Sequence, residues 1–137
     1  MPQAANLVLK NGAPTPVDKT FTLLSPAAGY GSTAEWALKE GPISSVFPRF
    51  TALVRPGNGP ATRAGSKVTQ LRLKVPSSYL DTVTGLTNVL SAFEANCTVT
   101  VPSDYPESLK DDAIAFLANV FASALVKSMI KDGSPAS

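Results

Sequence analysis

The sequence contains no histidine and a single cysteine, Cys97, among its 137 residues. Without imidazole, Ser-His-Asp and Cys-His catalysis and the His/Cys zinc sites are excluded. One cysteine cannot form an intramolecular disulfide, so nothing indicates an oxidising compartment. The carboxylates are scattered, and no glycine-rich phosphate loop follows a strand pattern. We therefore assign no catalytic residue and no metal site, and expect a protein that is not an enzyme and binds no cofactor.

Long hydrophobic runs are also missing. No stretch of about 18 apolar residues occurs, and the N-terminus has neither a basic segment nor an apolar segment of the secretory type. We expect a protein with no membrane partner, made in a cytoplasm. With 44% hydrophobic and 16% charged residues, the composition is that of a globular chain, and residues 1–137 are predicted to form a single domain.

Acidic residues are absent from one long block. Residues 41–76 contain six Lys or Arg residues and no Asp or Glu, whereas residues 104–112 carry four acids and one lysine. The formal net charge of only +2 hides this uneven distribution. A surface with charge of one sign predicts a polyanionic partner.

The same block contains the clearest strand pattern. Two runs, 49–55 and 67–75, flank a Pro/Gly-rich turn at 56–60, and both alternate between apolar and polar residues. Side chains alternate faces along a strand, so the pattern predicts a hairpin with one apolar and one basic face. For a hairpin alone, the simpler interpretation is a half-solvated sheet whose open face happens to be basic. The predicted basic face contains Arg49, Thr51, Leu53, Arg55, Gln70, Arg72 and Lys74.

The remaining patterns predict an α+β chain. An N-terminal β-hairpin occupies residues 1–24 and turns at Asn11-Gly12, where both residues tolerate positive φ. An antiparallel meander sheet of about five strands follows within residues 33–102. Residues 77–90 have weak periodicity and are predicted to be a long loop with extended shoulders before the last strand, 91–101.

Residues 104–133 predict two C-terminal helices, or one helix kinked near 119–123. We expect the first helix to begin at Asp104, which would cap it ahead of Pro106 and Glu107. Gly133 is expected to end the second helix.

Residues 113–126 are apolar almost all round the helix. One sheet face covers only one side of a helix, and no other helix exists to bury the rest within one chain. The remaining surface therefore predicts an obligate homodimer. The expected dimer interface contains Phe116, Leu117, Val120, Phe121 and Leu125.

Several short stretches, in this order and spacing, carry a resemblance to a known family. They are residues 6–9 with Asn11-Gly12, the strand 33–36, residues 51–55, the Val-Pro endings of 71–76 and 98–102, and the Lys-Asp-Gly-Ser-Pro segment at 131–135. With them, nearly the whole chain resembles the coat protein of the single-stranded RNA bacteriophages of the levivirus type. The resemblance implies a coat-protein domain that forms an interlocked dimer, with residues 104–133 as dimerisation helices.

The resemblance further implies a structural capsid protein that self-assembles into an icosahedral shell around the phage genome. It would be located in the virion, assembled in the cytoplasm of the host bacterium. The basic sheet face would bind single-stranded RNA and, in some members, an RNA hairpin whose translation it represses. Glu94 stands where the family commonly has a tyrosine that stacks on an unpaired base. The implied RNA-binding residues are Arg49, Thr51, Leu53, Arg55, Gln70, Arg72, Lys74, Asn96 and Thr98.

The alternative is a non-capsid, dimeric RNA-binding regulator that uses the same basic sheet. Sheet-based RNA binders stack bases on aromatic platforms. The basic face predicted for this chain has no aromatic residue, so the capsid interpretation is favoured.

Overall fold

The computed structural model of the protein describes residues 3–57 and 66–136. Within them, six antiparallel strands form one sheet in which spatial order equals chain order, and two helices follow. The predicted α+β architecture is thus confirmed, while the predicted turn at 56–60 lies partly outside the described residues. The strands are β1 (Leu7–Lys10), β2 (Asp18–Ser25), β3 (Thr33–Ala37), β4 (Arg49–Pro56), β5 (Lys67–Leu80) and β6 (Thr87–Val101).

The sheet and the helices belong to two compact units. The sheet unit comprises Met1–Ser103 and the helical unit Asp104–Ser137. The helices are α1 (Glu107–Ala122) and α2 (Ala124–Asp132).

The loop predicted at 77–90 is much shorter than expected, and its extended shoulders belong to the strands on either side. β5 continues to Leu80 and β6 begins at Thr87, so the connection shrinks to residues 81–86. The register between the two strands shifts between Ser77 and Ser78. A bulge of this kind breaks the period-two alternation without ending the strand, which explains the weak sequence signal. The Ser77 hydroxyl lies 2.8 Å from the Ser91 hydroxyl across the strands and supports the pairing at the shift.

The short β5–β6 turn is organised around one carboxylate. Asp81 Oδ1 accepts hydrogen bonds from the backbone N–H groups of Val83 at 2.9 Å and Thr84 at 3.3 Å. The Gly85 N–H donates to the Asp81 carbonyl oxygen at 2.7 Å, and Gly85 has a φ of 72°, which favours glycine. The bond from Val83, followed by that from Thr84, lowers the pKa of Asp81 below its ordinary value of 3.8. The turn holds the Val83 side chain 92% exposed at its tip.

Acidification is expected to loosen this turn. Folding lowers the pKa of Asp81. The stabilising effect of its carboxylate on the turn is therefore complete above the ordinary pKa of 3.8 and is lost as the pH falls through the lower pKa of the folded state. Hydrogen–deuterium exchange of peptides spanning residues 81–86 tests this, with Asp81→Asn compared with wild type at each pH. The wild type should be the better protected at neutral pH, and the difference should shrink in acid. A difference that is the same at every pH would contradict the role of the carboxylate.

The core of the sheet unit lies on one sheet face. Phe21, Ala34 and Trp36 are buried there, and half-buried apolar side chains from β1, β2, β4 and β5 pack against them. The Trp36 and Phe50 ring centroids are 5.4 Å apart and tilted, a favourable aromatic geometry. The Trp36 indole N–H donates to the Ala5 carbonyl oxygen at 2.8 Å, so the polar atom of this buried ring is satisfied.

The helical unit departs from prediction at its start. Helix α1 begins at Glu107 with Pro106 at the capping position and no side-chain cap, so the expected start at Asp104 is wrong. Proline fixes φ without restricting ψ to the helical region, and here Pro106 has an extended ψ of 128°. The predicted break is confirmed: Ser123, also extended, separates α1 from α2. Gly133 ends α2 with a left-handed φ of 65°, as predicted.

Neither α1 nor α2 has a buried residue. In the described part of the chain no single helix is long and apolar enough to cross a membrane, although α1 and α2 taken together, bent by 51°, reach the required length and composition.

Candidate nucleic-acid interface

Strand pairing places all nine predicted RNA-binding residues on one face of the sheet, which we call the polar face. Residues directly opposite each other on antiparallel strands share a face, and the registers of β3–β4, β4–β5 and β5–β6 are continuous across it. The polar face consists of four rows across the strands. They are Ala37, Arg49, Lys74 and Glu94; Glu35, Thr51, Arg72 and Asn96; Thr33, Leu53, Gln70 and Thr98; and Arg55, Val68 and Thr100.

The polar face has its cations in the middle and its acids at the sides. Across β3 to β6, all four Lys and Arg residues of these rows lie on β4 and β5; Lys10 of β1 lies on the same side of the sheet but is paired with Asp18. The two carboxylates of these rows, Glu35 and Glu94, lie on the flanking strands β3 and β6. The face therefore carries two more positive than negative charges, concentrated along two neighbouring strands.

Arg49 is already engaged within the protein. Its Nη1 lies 2.6 Å from Glu35 Oε1, and its Nη2 donates to the Ser44 carbonyl oxygen at 3.4 Å. Both side chains of this ion pair are about two-thirds shielded from solvent. Arg49 consequently anchors β4 to β3 and to the preceding segment, and offers less free charge than its position suggests.

Arg72 and Lys74 are more available to an external anion. Arg72 Nε donates to Asn96 Oδ1 at 2.8 Å, which orients the guanidinium group without neutralising its charge. Lys74 Nζ lies 3.7 Å from Glu94 Oε1, and both side chains are at least half exposed. Such a loose, solvated ion pair is worth roughly 0–1 kcal/mol, so a phosphate can displace it.

A shallow concavity of about 410 Å³ occupies the second and third rows. Its polar lining offers hydroxyl, amide and guanidinium groups that suit sugars, base edges and phosphates. Leu53 adds an apolar surface in the middle of the row that carries no charge. The lining residues are Thr33, Thr51, Leu53, Gln70, Leu71, Arg72, Asn96, Cys97 and Thr98.

The sequence-based prediction of this site missed Glu35 and Thr33. Both belong to β3, whose apolar residues Ala34 and Trp36 point to the core. The parity of β3 was visible in the sequence, but its register against β4 was not. Without that register, Glu35 could not be assigned to the second row beside Thr51.

The second set of predicted residues lies on the helices. Among the interface candidates, Phe116, Val120, Phe121 and Leu125 are exposed in the single chain, and Leu117 is half-buried. Phe116, the most exposed, has 69% of its surface open to solvent. Exposed apolar side chains grouped on a helix mark an interaction surface.

The sheet offers a second surface for association. β6 is an outer strand of 15 residues, and one of its edges has no partner strand among residues 3–57 and 66–136. On the apolar side of β5 and β6, Val75 and Phe93 lie opposite each other and both are exposed. A long outer strand with an apolar face is a template for pairing with another chain.

Comparison with solved structures places this architecture among phage capsids. The chain from the virus-like particle of bacteriophage NT-214 is 23% identical, with a TM-score of 0.81 over 99% of this chain and 100% of that one. The chain from the virus-like particle of Beihai levi-like virus 21 is 19% identical, with a TM-score of 0.78 over 99% of each. The bacteriophage GA protein capsid is 21% identical, with a TM-score of 0.72 over 96% of this chain and 95% of that one.

The family of the protein follows from its amino-acid sequence. No curated protein sequence matches the chain. The sequence model of the levivirus coat protein family, however, matches residues 2–136. A match over nearly the whole length, together with the capsid fold, indicates a structural protein of the virion that self-associates into a shell. The chain belongs to the levivirus coat protein family.

Proposed function

We propose that this coat protein dimerises, assembles into an icosahedral shell and packages single-stranded RNA on its polar face. In this proposal residues 1–137 act as one coat-protein domain, and assembly takes place in the cytoplasm of the host bacterium. The observation that carries the RNA part is the line of cations along β4 and β5.

Dimerisation is supported by the apolar surfaces that the single chain leaves open. Helices α1 and α2 have no buried residue, and their exposed apolar side chains include Phe116, Phe121 and Leu125. A second copy covers such surfaces by symmetry, since a two-fold interface uses the same patch twice. The open edge of β6 offers backbone hydrogen bonds to the same partner. An interlocked arrangement, in which helices of one copy cover the sheet of the other, satisfies both surfaces at once.

RNA binding is supported by the chemistry of the polar face. Phosphates displace counterions from Lys and Arg side chains, which yields affinity without sequence preference. Thr51 and Gln70 add hydrogen-bonding groups between the cations, and Asn96 adds another on β6 beside Arg72. Glu94 occupies the position at which the family commonly has a stacking tyrosine. Packaging of RNA in general is therefore better supported than repression through one RNA hairpin.

Removing Arg72 and Lys74 tests the RNA assignment. The variant Arg72→Ala/Lys74→Ala is expected to assemble with less RNA, because it removes two of the four cations on the polar face. For a single strand, the slope of log K against log salt should become shallower by about 1.4. The measurement is the ratio of absorbance at 260 and 280 nm of purified particles, with salt titrations of RNA binding.

The control is Lys19→Ala/Lys110→Ala. It removes the same charge from β2 and α1, where both lysines pair with local acids, Glu40 and Glu107. Lys19 lies on the core side of the sheet, opposite the polar face. RNA content equal to wild type in the control and reduced in the Arg72 and Lys74 variant supports the assignment. Equal RNA content in all three proteins would count against the polar face as the RNA site.

A further inference from the structure

The four cations of the polar face form a strip bordered on both sides by acids. Arg49 and Arg55 lie on β4, and Arg72 and Lys74 on β5. Neighbouring strands are about 4.8 Å apart, and six residues of strand span about 20 Å. The strip is therefore two strands wide and long enough for several nucleotides. Glu35 on β3 and Glu94 on β6 stand one strand outside it.

The two carboxylates differ in how firmly they are held. Glu35 is tied to Arg49 at 2.6 Å and is one-third exposed, so it belongs to the framework of the sheet. Glu94 is 3.7 Å from Lys74 and 60% exposed, and its charge reaches the solvent above the strip. An exposed negative charge repels phosphate and competes for the neighbouring ammonium group.

The third row of the polar face carries no charge, and it lies between two rows that each contain an arginine of the strip. Leu53 and Gln70 lie on the strip between Arg72 in the second row and Arg55 in the fourth. Phosphates held by these two arginines leave the intervening nucleotide above Leu53 and Gln70, where an apolar contact and an amide group are available. Contacts of this kind suit a base or a sugar, since they do not depend on charge.

We propose that Glu35 and Glu94 confine the phosphates of bound single-stranded RNA to the strip over β4 and β5, which leaves Asn96 and Thr98 on β6 to contact sugars or bases. The RNA then runs along these two strands, and Glu94 sets the affinity by competing with phosphate for Lys74. This inference rests on the proposed RNA binding and adds the path of the strand and a residue that weakens binding. Glu94 is a specificity-determining residue in this sense: it disfavours phosphate groups placed over β6.

The variant Glu94→Gln tests this inference in the full-length protein. The substitution keeps the shape of the side chain and removes its charge. Binding of a fluorescently labelled single-stranded homopolymer RNA is measured by anisotropy across a salt series. We expect binding to become about two- to fivefold tighter at low salt, the range for an exposed charge interaction. The salt slope should become steeper by up to about 0.7, as Lys74 becomes free to neutralise one phosphate.

The matched control is Glu40→Gln. Glu40 also pairs with a lysine, Lys19, at 2.8 Å, and Lys19 shares the face of β2 that carries the core residue Phe21. The control therefore makes the same charge change and releases a lysine away from the polar face. Its RNA affinity should equal that of wild type. Thermal melting of both variants shows whether each is folded.

The outcomes separate the inference from the proposed function. Tighter binding by Glu94→Gln and unchanged binding by Glu40→Gln supports the acid border. Equal affinities of the two variants, with wild-type binding that still depends on Arg72 and Lys74, would overturn the inference and leave RNA binding in place. Wild-type protein that shows no salt-dependent binding of RNA would overturn both.

Discussion

Replacing Phe116 with aspartate is expected to abolish assembly while leaving the individual chain folded. Phe116 is 69% exposed in the single chain, so its removal costs the chain itself little. In a two-fold interface it would be buried twice, once from each copy. Burial of a phenylalanine is worth about 1.5–3 kcal/mol, and an unpaired carboxylate in its place costs several kcal/mol more per copy. Size-exclusion chromatography of Phe116→Asp should show no particles and no dimer.

Ala115→Asp is the matched control for this experiment. It introduces the same charge one residue earlier in α1, on the side of the helix that already carries Asp111 and Asp112, because residues three and four apart share a side. Particles from Ala115→Asp and none from Phe116→Asp would assign the interface to the Phe116 side. Normal particles from Phe116→Asp would show that this side of α1 stays open in the shell.

Replacing Trp36 with alanine is expected to remove much of the stability of the sheet unit. Trp36 is 9% exposed, packs against Phe50 and donates a hydrogen bond to Ala5. Deleting a large buried aromatic side chain costs about 3–5 kcal/mol, a large share of the roughly 5–15 kcal/mol by which a domain is stable. Because Trp36 is the only tryptophan, denaturant unfolding should be followed by circular dichroism.

Tyr30→Ala is the comparison for this variant. Tyr30 is 61% exposed, and Lys67 Nζ lies 4.3 Å from the centroid of its ring. A cation–π contact at an exposed site is worth about 0.5–1 kcal/mol, so this variant should unfold near the wild-type midpoint. Similar losses in the two variants would contradict the assignment of the core to Trp36.

The elements with regular alternation could be predicted from sequence. β4 alternates except at Leu53, residues 70–75 of β5 alternate without exception, and the two faces of these strands follow from the period of two. The same rule failed at Ser77, where a register shift reverses the parity and makes the continuing strand look like a loop. At the first helix, Asp104, Pro106 and Glu107 have the composition of a capped start, but the backbone turns helical only at Glu107. Composition therefore predicted that a helix begins in this segment, and the local backbone geometry determines that its first residue is Glu107.

The sequence predicted which residues lie on the polar face, but not which of its cations are neutralised by carboxylates. Parity alone assigned Arg72 and Lys74 to one side, and the observed registers place them there. Which cations are neutralised depends on long-range pairing: Glu35 reaches Arg49, and Glu94 lies near Lys74. Such pairs join residues from different strands, whose register a sequence pattern does not specify. The RNA-binding and dimer-interface assignments stay predictions that the variants above test.

The most direct test of the central claim is electron microscopy of the protein expressed alone, combined with the ratio of absorbance at 260 and 280 nm on the same size-exclusion peak. If the protein assembles and packages RNA on its polar face, we expect uniform round shells whose absorbance shows nucleic acid. A small species free of RNA would contradict self-assembly with packaging as properties of this chain on its own.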